Sequence, residues 1–270
     1  MRYLITLLLF SLKITAQITY DTFNMSKSIE ETSGLESYGE HLITHNDSGD
    51  KPKLYIINQQ GEKIMEIELN QLKNKDWEDI AGDSENFFIA DTGNKFGTRE
   101  NLKIYILDHD FFLEGKISIR YKFQTTFSRE PKSEFDAEAL AVVDDQLVLF
   151  SKNRKTLKSE IYSFPKIAGD YVLTPKTIID CNALITAADY YHEKDFIALT
   201  GYNTKGNQFF FLIRDFIKNG FDKINLQRYL IPIESAQIEA VKIINENEFW
   251  ISSESEEIGK PRLFRLKLKL

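Results

Sequence analysis

Cysteine is nearly absent from this sequence: Cys181 is the only one in 270 residues. No internal disulfide can form, so packing alone must hold the fold. Cys181 itself reads as a small buried apolar residue. Histidine is scarce as well, and His41, His45, His109 and His192 show no paired zinc-site spacing. Lys and Arg number 34 against 41 Asp and Glu, a formal net charge of −7. No basic excess is available to neutralise phosphates, which excludes nucleic acid as the main partner. The sequence contains no nucleophile elbow, P-loop, HExxH or Gly-rich dinucleotide fingerprint.

Long apolar runs are also lacking, with one exception at the start. Arg2, an apolar stretch from Tyr3 to Leu12, and Ala16 read as a secretory signal peptide over residues 1–16. The stretch is too short to span a bilayer comfortably. The expectation is an exported protein, secreted or periplasmic, with residues 17–270 as one domain, no membrane span, and a monomeric state.

Helical periodicity is confined to FLIRDFIKNGF (211–221), which reads equally well as a strand and a loop. Strand signals are frequent. KLYIINQ, LKIYILD, QLVLFSK, QFFFLIR and RLFRLKL are short, rich in β-branched or aromatic residues, and bounded by turn residues. A repeat underlies them. EDIAGDSENFFIAD (78–91), EALAVVDDQLVLFS (138–151), AADYYHEKDFIALT (187–200) and EAVKIINENEFWIS (239–252) share one layout: a small or acidic start, a strand, a polar turn, an apolar strand, a small polar end. A looser copy begins at Glu31. Repeats of about 50 residues with four strands each are β-propeller blades.

The fold expected is therefore all-β, a five-bladed propeller, with six blades as the alternative. A β-sandwich with coincidental repetition is the competing architecture. The last copy lacks a fourth strand, and ITYDTFNMSK (18–27) would supply it, closing the ring by pairing the two ends of the chain. First strands line a propeller's channel, so Glu31, Glu78, Glu138 and Glu239 ring one mouth. In the fourth copy Ala187 holds the anchor, and Asp189 lies on the same side of the strand.

Converging carboxylates repel, so they are protonated or neutralised by a cation. An all-oxygen ligand set suits a hard cation, Ca²⁺ before Mg²⁺. The bland alternative is that each acid accepts backbone N–H bonds from the next blade and locks the ring. The ends of the second strands add Asp47, Asp91, Asn94 and Asn153 as ligand-binding candidates, and Arg99, Lys152 and Arg154 bring positive charge. Such a mouth suits a small polar or anionic ligand, such as a phosphate ester or an acidic sugar, or a protein. For catalysis, Glu138 or His45 is the candidate base at a metal-bound water, with Lys152 beside them.

ETSGL (31–35), HNDSG (45–49), DWEDIA (76–81), IADTGN (89–94) and FDAEAL (135–140) together resemble exported bacterial β-propellers of the SdiA-regulated and esterase-like phytase kind. The resemblance implies Ca²⁺ at the channel mouth, held by Asp136 and Glu138 and, by repetition, by Glu78 and Asp79. It leaves open whether the chain is a binding propeller, a metal-dependent phosphoester hydrolase, or a structural interaction module with a mouth plugged by Trp77, Tyr202 or Trp250.

Overall fold

The computed structural model describes residues 17–234, 236–255 and 259–269; the signal-peptide reading of residues 1–16 falls outside them. The chain forms a five-bladed β-propeller. Blade 1 is β2 (Thr32–Tyr38), β3 (His41–Asn46), β4 (Lys53–Ile57) and β5 (Lys63–Glu68). Blade 2 is β6 (Asp79–Gly82), β7 (Asn86–Asp91), β8 (Lys103–Asp108) and β9 (Leu113–Tyr121). Blade 3 is β10 (Ala137–Val143), β11 (Gln146–Ser151), β12 (Ser159–Pro165) and β14 (Thr177–Ile179). Blade 4 is β15 (Leu184–Tyr191), β16 (Phe196–Tyr202), β17 (Gln208–Arg214) and β18 (Leu226–Ile231). Blade 5 is β19 (Ile238–Asn245), β20 (Glu248–Ser253), β21 (Arg262–Lys269) and, outermost, β1 (Gln17–Asn24).

The expected closure is present: β1 pairs antiparallel with β21 over eight residues, from Gln17 opposite Lys269 to Asn24 opposite Arg262. One strand was not foreseen. β13 (Gly169–Leu173) leaves blade 3 and pairs parallel with β9 on the outside of blade 2. The helical-looking stretch resolves into β17 followed by a single turn of helix, Phe216–Asn219.

Burial follows from position in the blade. The inner β10 reads AEALAVV and is buried at six of seven positions, whereas the outer β5 reads KIMEIE and is exposed at five of six. Five apolar clusters fill the gaps between successive blades. Phe196, Phe210 and Phe249, for example, pack blade 4 on blade 5, and Phe88, Leu140 and Tyr162 pack blade 2 on blade 3. Five gaps for five blades close the ring. Hairpins are tight where the residues allow it: Asp144 takes φ 52° in the two-residue turn between β10 and β11. Gly34 in ETSGL has φ +66°, and a Cβ there would lie 2.5 Å from Ile80 N of blade 2. Only glycine permits that approach.

Candidate functional site

The site begins with a bulge at the head of the inner strands. In blade 3, Ala137 faces Ser151 and Ala139 faces Phe150, so Glu138 is the extra residue. In blade 5, Ile238 faces Ser253 and Ala240 faces Ser252, so Glu239 is the extra residue. In blade 2, Asp79 faces Ala90, and Glu78 N also donates to Ala90 O at 2.9 Å. A bulge re-aims a side chain and ends regular pairing, and here it turns Glu78, Glu138 and Glu239 toward the mouth. In blade 4 the bulged residue is Thr186, not the anchor Ala187. The turn at His192–Asp195 is two residues longer than Asp144–Asp145, which shifts any count made from the far end of the hairpin.

A second position closes each mouth. In blades 3 and 5 the amide after the second strand donates to the carbonyl two residues before the bulge, Lys152 to Asp136 at 2.8 Å and Glu254 to Gln237 at 3.1 Å; in blade 1 Asp47 donates to Glu31 at 2.9 Å, and the bulge lies further on, between Ser33 and Glu36. In blade 2 that amide is Gly93, donating to Asp76 at 3.2 Å, with Thr92 as one additional residue. Blades 2 and 3 therefore carry the same Asp-x-Glu pair, Asp76–Glu78 and Asp136–Glu138. Where blade 3 answers its pair with Lys152, blade 2 has Gly93. A Cβ on Gly93 would overlap Glu78 Oε1 and Asp76 Oδ2, so the two carboxylates occupy the space a side chain would need.

The two halves of the mouth are consequently unequal. Lys152 Nζ pairs with Glu138 and lies 3.6 Å from Glu239. Arg154 bonds Asp136 at 2.8 Å and Glu138 at 3.0 Å. Tyr202 covers Lys152, its ring centroid 4.9 Å from Nζ. On the other side, ligand oxygens of Asp47, Asp76 and Glu78 lie within 4.8 Å of one another, as do those of Glu78, Asp136 and Glu138. Asp76 has Arg99 at 4.0 Å. Glu78 is 6% exposed, and among the described residues its carboxylate takes no hydrogen bond and no ion pair. The two halves meet in a pocket of about 220 Å³.

The electrostatics follow from this arrangement. Burial lifts the Glu78 carboxyl well above the usual carboxylate range, and Asp47, Glu138, Asp136 and Asp76 push the same way. Burial, then Asp76 and Glu239, push Asp47 up to about 7. Burial, then Glu239 and Asp47, push Glu254 up to about 9. Burial pulls the Lys152 ammonium down, but Glu138 and Glu239 outweigh it and hold it well above its ordinary value.

The remaining sequence candidates lie elsewhere. Asp79 points to the axis: Oδ2 accepts from Leu140 N at 2.8 Å and Ala188 N at 3.3 Å, and Oδ1 from its neighbour Ile80 N. Asp189 accepts from Ile243 N at 2.8 Å and pairs with Lys242, which also holds Glu36. These two acids bridge blades. Glu31 is exposed and lines a separate groove on blade 1. His45 is fully buried against Trp77, and burial lowers its pKa to about 4. Asp91, Asn94 and Arg99 build the loop after β7: Arg99 bonds Asp91 Oδ1 and Gly93 O, both at 2.7 Å, and its amide donates to Asn94. Asn153 bonds Glu160 at 3.0 Å. Trp77 and Trp250 belong to the cores between blades, whereas Tyr202 does wall the pocket.

Asp76, Gln237 and Lys95 are pocket residues that sequence reasoning did not select. Asp76 had a signal: DWEDIA repeats the Asp-x-Glu of FDAEAL. Glu36 and Lys242 had none, because only the ring brings blades 1 and 5 together.

No family model matches the sequence, and no curated protein matches it. Among solved structures, the PQQ-bound form of aldose sugar dehydrogenase from Streptomyces coelicolor is similar, with a TM-score of 0.54 at 11% identity over 94% of this chain and 99% of that one. Hydrazine synthase from Kuenenia stuttgartiensis gives a TM-score of 0.45 at 12% identity, over 81% and 60% respectively. At such identities the first likeness carries the β-propeller fold alone.

Proposed function

We propose that this protein is an exported propeller that binds a divalent cation, Ca²⁺ preferred, at its acidic channel mouth, and a small polar or anionic ligand beside it. The observation that carries the reading is the contrast between Lys152 and Gly93. Blade 3 neutralises its Asp-x-Glu pair from within. Blade 2 offers only Arg99, 4.0 Å from Asp76, and leaves Glu78 without a partner, while Asp47 adds a third carboxylate. A buried carboxylate without a partner is costly unless a cation completes it. Hard oxygen donors of flexible geometry favour Ca²⁺. The resemblance of DWEDIA and FDAEAL to exported phytase-like propellers supports the same assignment.

Lys152 and Arg154 line the same pocket, paired with Glu138, Glu239 and Asp136. A second reading, a metal-dependent phosphoester hydrolase, is favoured by one feature: these two cations stand in the same pocket as the unneutralised acids, where a phosphoryl group would meet both.

The test is calorimetric titration of chelator-stripped protein with Ca²⁺ and with Mg²⁺. At a hundredfold excess over Kd, bound Ca²⁺ is expected to stabilise the fold by about 2.7 kcal/mol, read as a higher melting temperature. The absence of both heat and a melting shift with Ca²⁺, Mg²⁺ and Mn²⁺ removes the cation reading. Metal-dependent turnover of p-nitrophenyl phosphate, abolished by chelator, would select the hydrolase.

A finer test uses Gly93. Its φ is not left-handed, so alanine is tolerated by the backbone. Gly93→Ala is expected to displace the Asp76 and Glu78 carboxylates and weaken Ca²⁺ binding about tenfold, about 1.4 kcal/mol, with the fold retained by circular dichroism.

A further inference from the structure

β13 is the one described strand that serves a blade other than its own. The chain finishes β12 in blade 3, crosses to β9 of blade 2, and returns as β14 to blade 3. Several contacts fasten the crossing. Lys166, in the turn that launches it, pairs with Asp83 of blade 2 at 2.7 Å. Gly115 makes room for Ala168: a Cβ at position 115 would lie 3.0 Å from the Ala168 Cβ. At the far end, Lys122 N donates to Leu173 O at 2.9 Å.

Leu173 also reaches the site. It is buried between blades 2 and 3 with Tyr121 and Tyr162, and Phe135 stacks on Tyr121 at 5.7 Å between centroids. Phe135 immediately precedes Asp136. The strand is thus stitched along blade 2, which holds Asp76 and Glu78, while its end packs under the segment that presents Asp136 and Glu138. Glu78 of blade 2 faces Asp136 and Glu138 of blade 3 across this gap, so the gap bears carboxylate repulsion, as does the one where Asp47 of blade 1 meets Asp76 and Glu78. The gap between blades 2 and 3 is the one spanned by the extra strand.

We propose that β13 is a strap that fixes the spacing of blades 2 and 3 and so positions Asp136 and Glu138 against Glu78. The effect on the cation rests on the reading of the mouth given above; the effect on blade spacing does not. β13 is in this sense a positioning element, acting through Leu173, Tyr121 and Phe135.

The experiment replaces residues 168–173 with a Gly/Ser segment of equal length. Spin labels at Glu100→Cys and Lys158→Cys, in a Cys181→Ala background, report the distance between blades 2 and 3 by pulsed electron paramagnetic resonance. The distance distribution is expected to broaden at least twofold and the Kd for Ca²⁺ to rise about tenfold, with the β-sheet circular dichroism kept. Leu173→Ala, a milder change that keeps the strand, is expected to move both readouts less but in the same direction, and serves if the replacement does not fold. An unchanged distance distribution overturns the strap. A broadened distribution with Kd within twofold of the parent overturns its positioning role. A parent protein that takes up no Ca²⁺ refutes the cation reading, and the distance measurement then decides the strap by itself.

Discussion

Asp79→Ala is expected to lower the free energy of unfolding by about 3–5 kcal/mol, measured by urea denaturation. The side chain lies on the axis with 1% exposure and accepts amides from two other blades, Leu140 N of blade 3 and Ala188 N of blade 4. Removing it leaves these buried donors and Ile80 N without an acceptor, and each such loss costs about 1–3 kcal/mol. Asp79→Asn keeps one acceptor oxygen and is expected to cost about half as much. A loss below about 1 kcal/mol for the alanine variant would show that Asp79 does not lock blades. If it locks them, Asp79→Asn also leaves Ca²⁺ affinity within about threefold, although Asp79 is the next residue to Glu78.

That pair of neighbours shows how far the sequence reaches. The repeat was legible because each blade spends its residues in the same order, and the closing β1–β21 pair was legible because the last copy runs out of chain. Of the acids expected to ring the mouth, Glu78, Glu138 and Glu239 share one pocket, whereas Glu31 lines another. What could not be read was the division of labour among them. Glu78 and Asp79 differ by one position and by a bulge, and the bulge depends on pairing with β7, which no local pattern states. The same limit misplaced the fourth anchor, where a longer turn moved the register from Thr186 to Ala187. Asp91 and Arg99 read as ligand groups because both lie next to the mouth in sequence. Their mutual bond at 2.7 Å turns them into loop scaffolding. The strap was invisible for a further reason: GDYVL is an ordinary strand, and nothing in five residues says which blade it joins.

Glu78→Gln is expected to weaken Ca²⁺ binding about a hundredfold, about 2.8 kcal/mol, and to raise the melting temperature of the cation-free protein. The two effects have one cause. Burial and four neighbouring carboxylates raise the Glu78 pKa in the fold. A carboxyl whose folded pKa lies above its unfolded value contributes stability only at low pH and loses it as the pH rises toward the folded pKa. At neutral pH without a cation, Glu78 therefore opposes folding, and the neutral amide removes that opposition. With Ca²⁺ present the sign reverses, because the amide gives up the charge that the cation needs. Glu138→Gln is the informative contrast. It changes the equivalent residue one blade along. Burial raises the Glu138 carboxyl too, but Lys152 and Arg154 oppose that shift and bond the carboxylate directly, whereas nothing opposes it at Glu78, so at Glu138 the ion pairs set the sign. Truncating one partner of a buried ion cluster leaves the others unneutralised, a loss of about 3–5 kcal/mol for a lone pair. Glu239 and Asp136 retain part of the pairing here, so a loss of about 2 kcal/mol is expected. Opposite signs of the melting shift for two residues at one repeat position, read by scanning calorimetry in chelator, would establish that one arm of the mouth is neutralised from within and the other from solution. Equal destabilisation by both variants would instead mean that Glu78 has a protein partner, and the cation site between Asp47, Asp76 and Glu78 would fall.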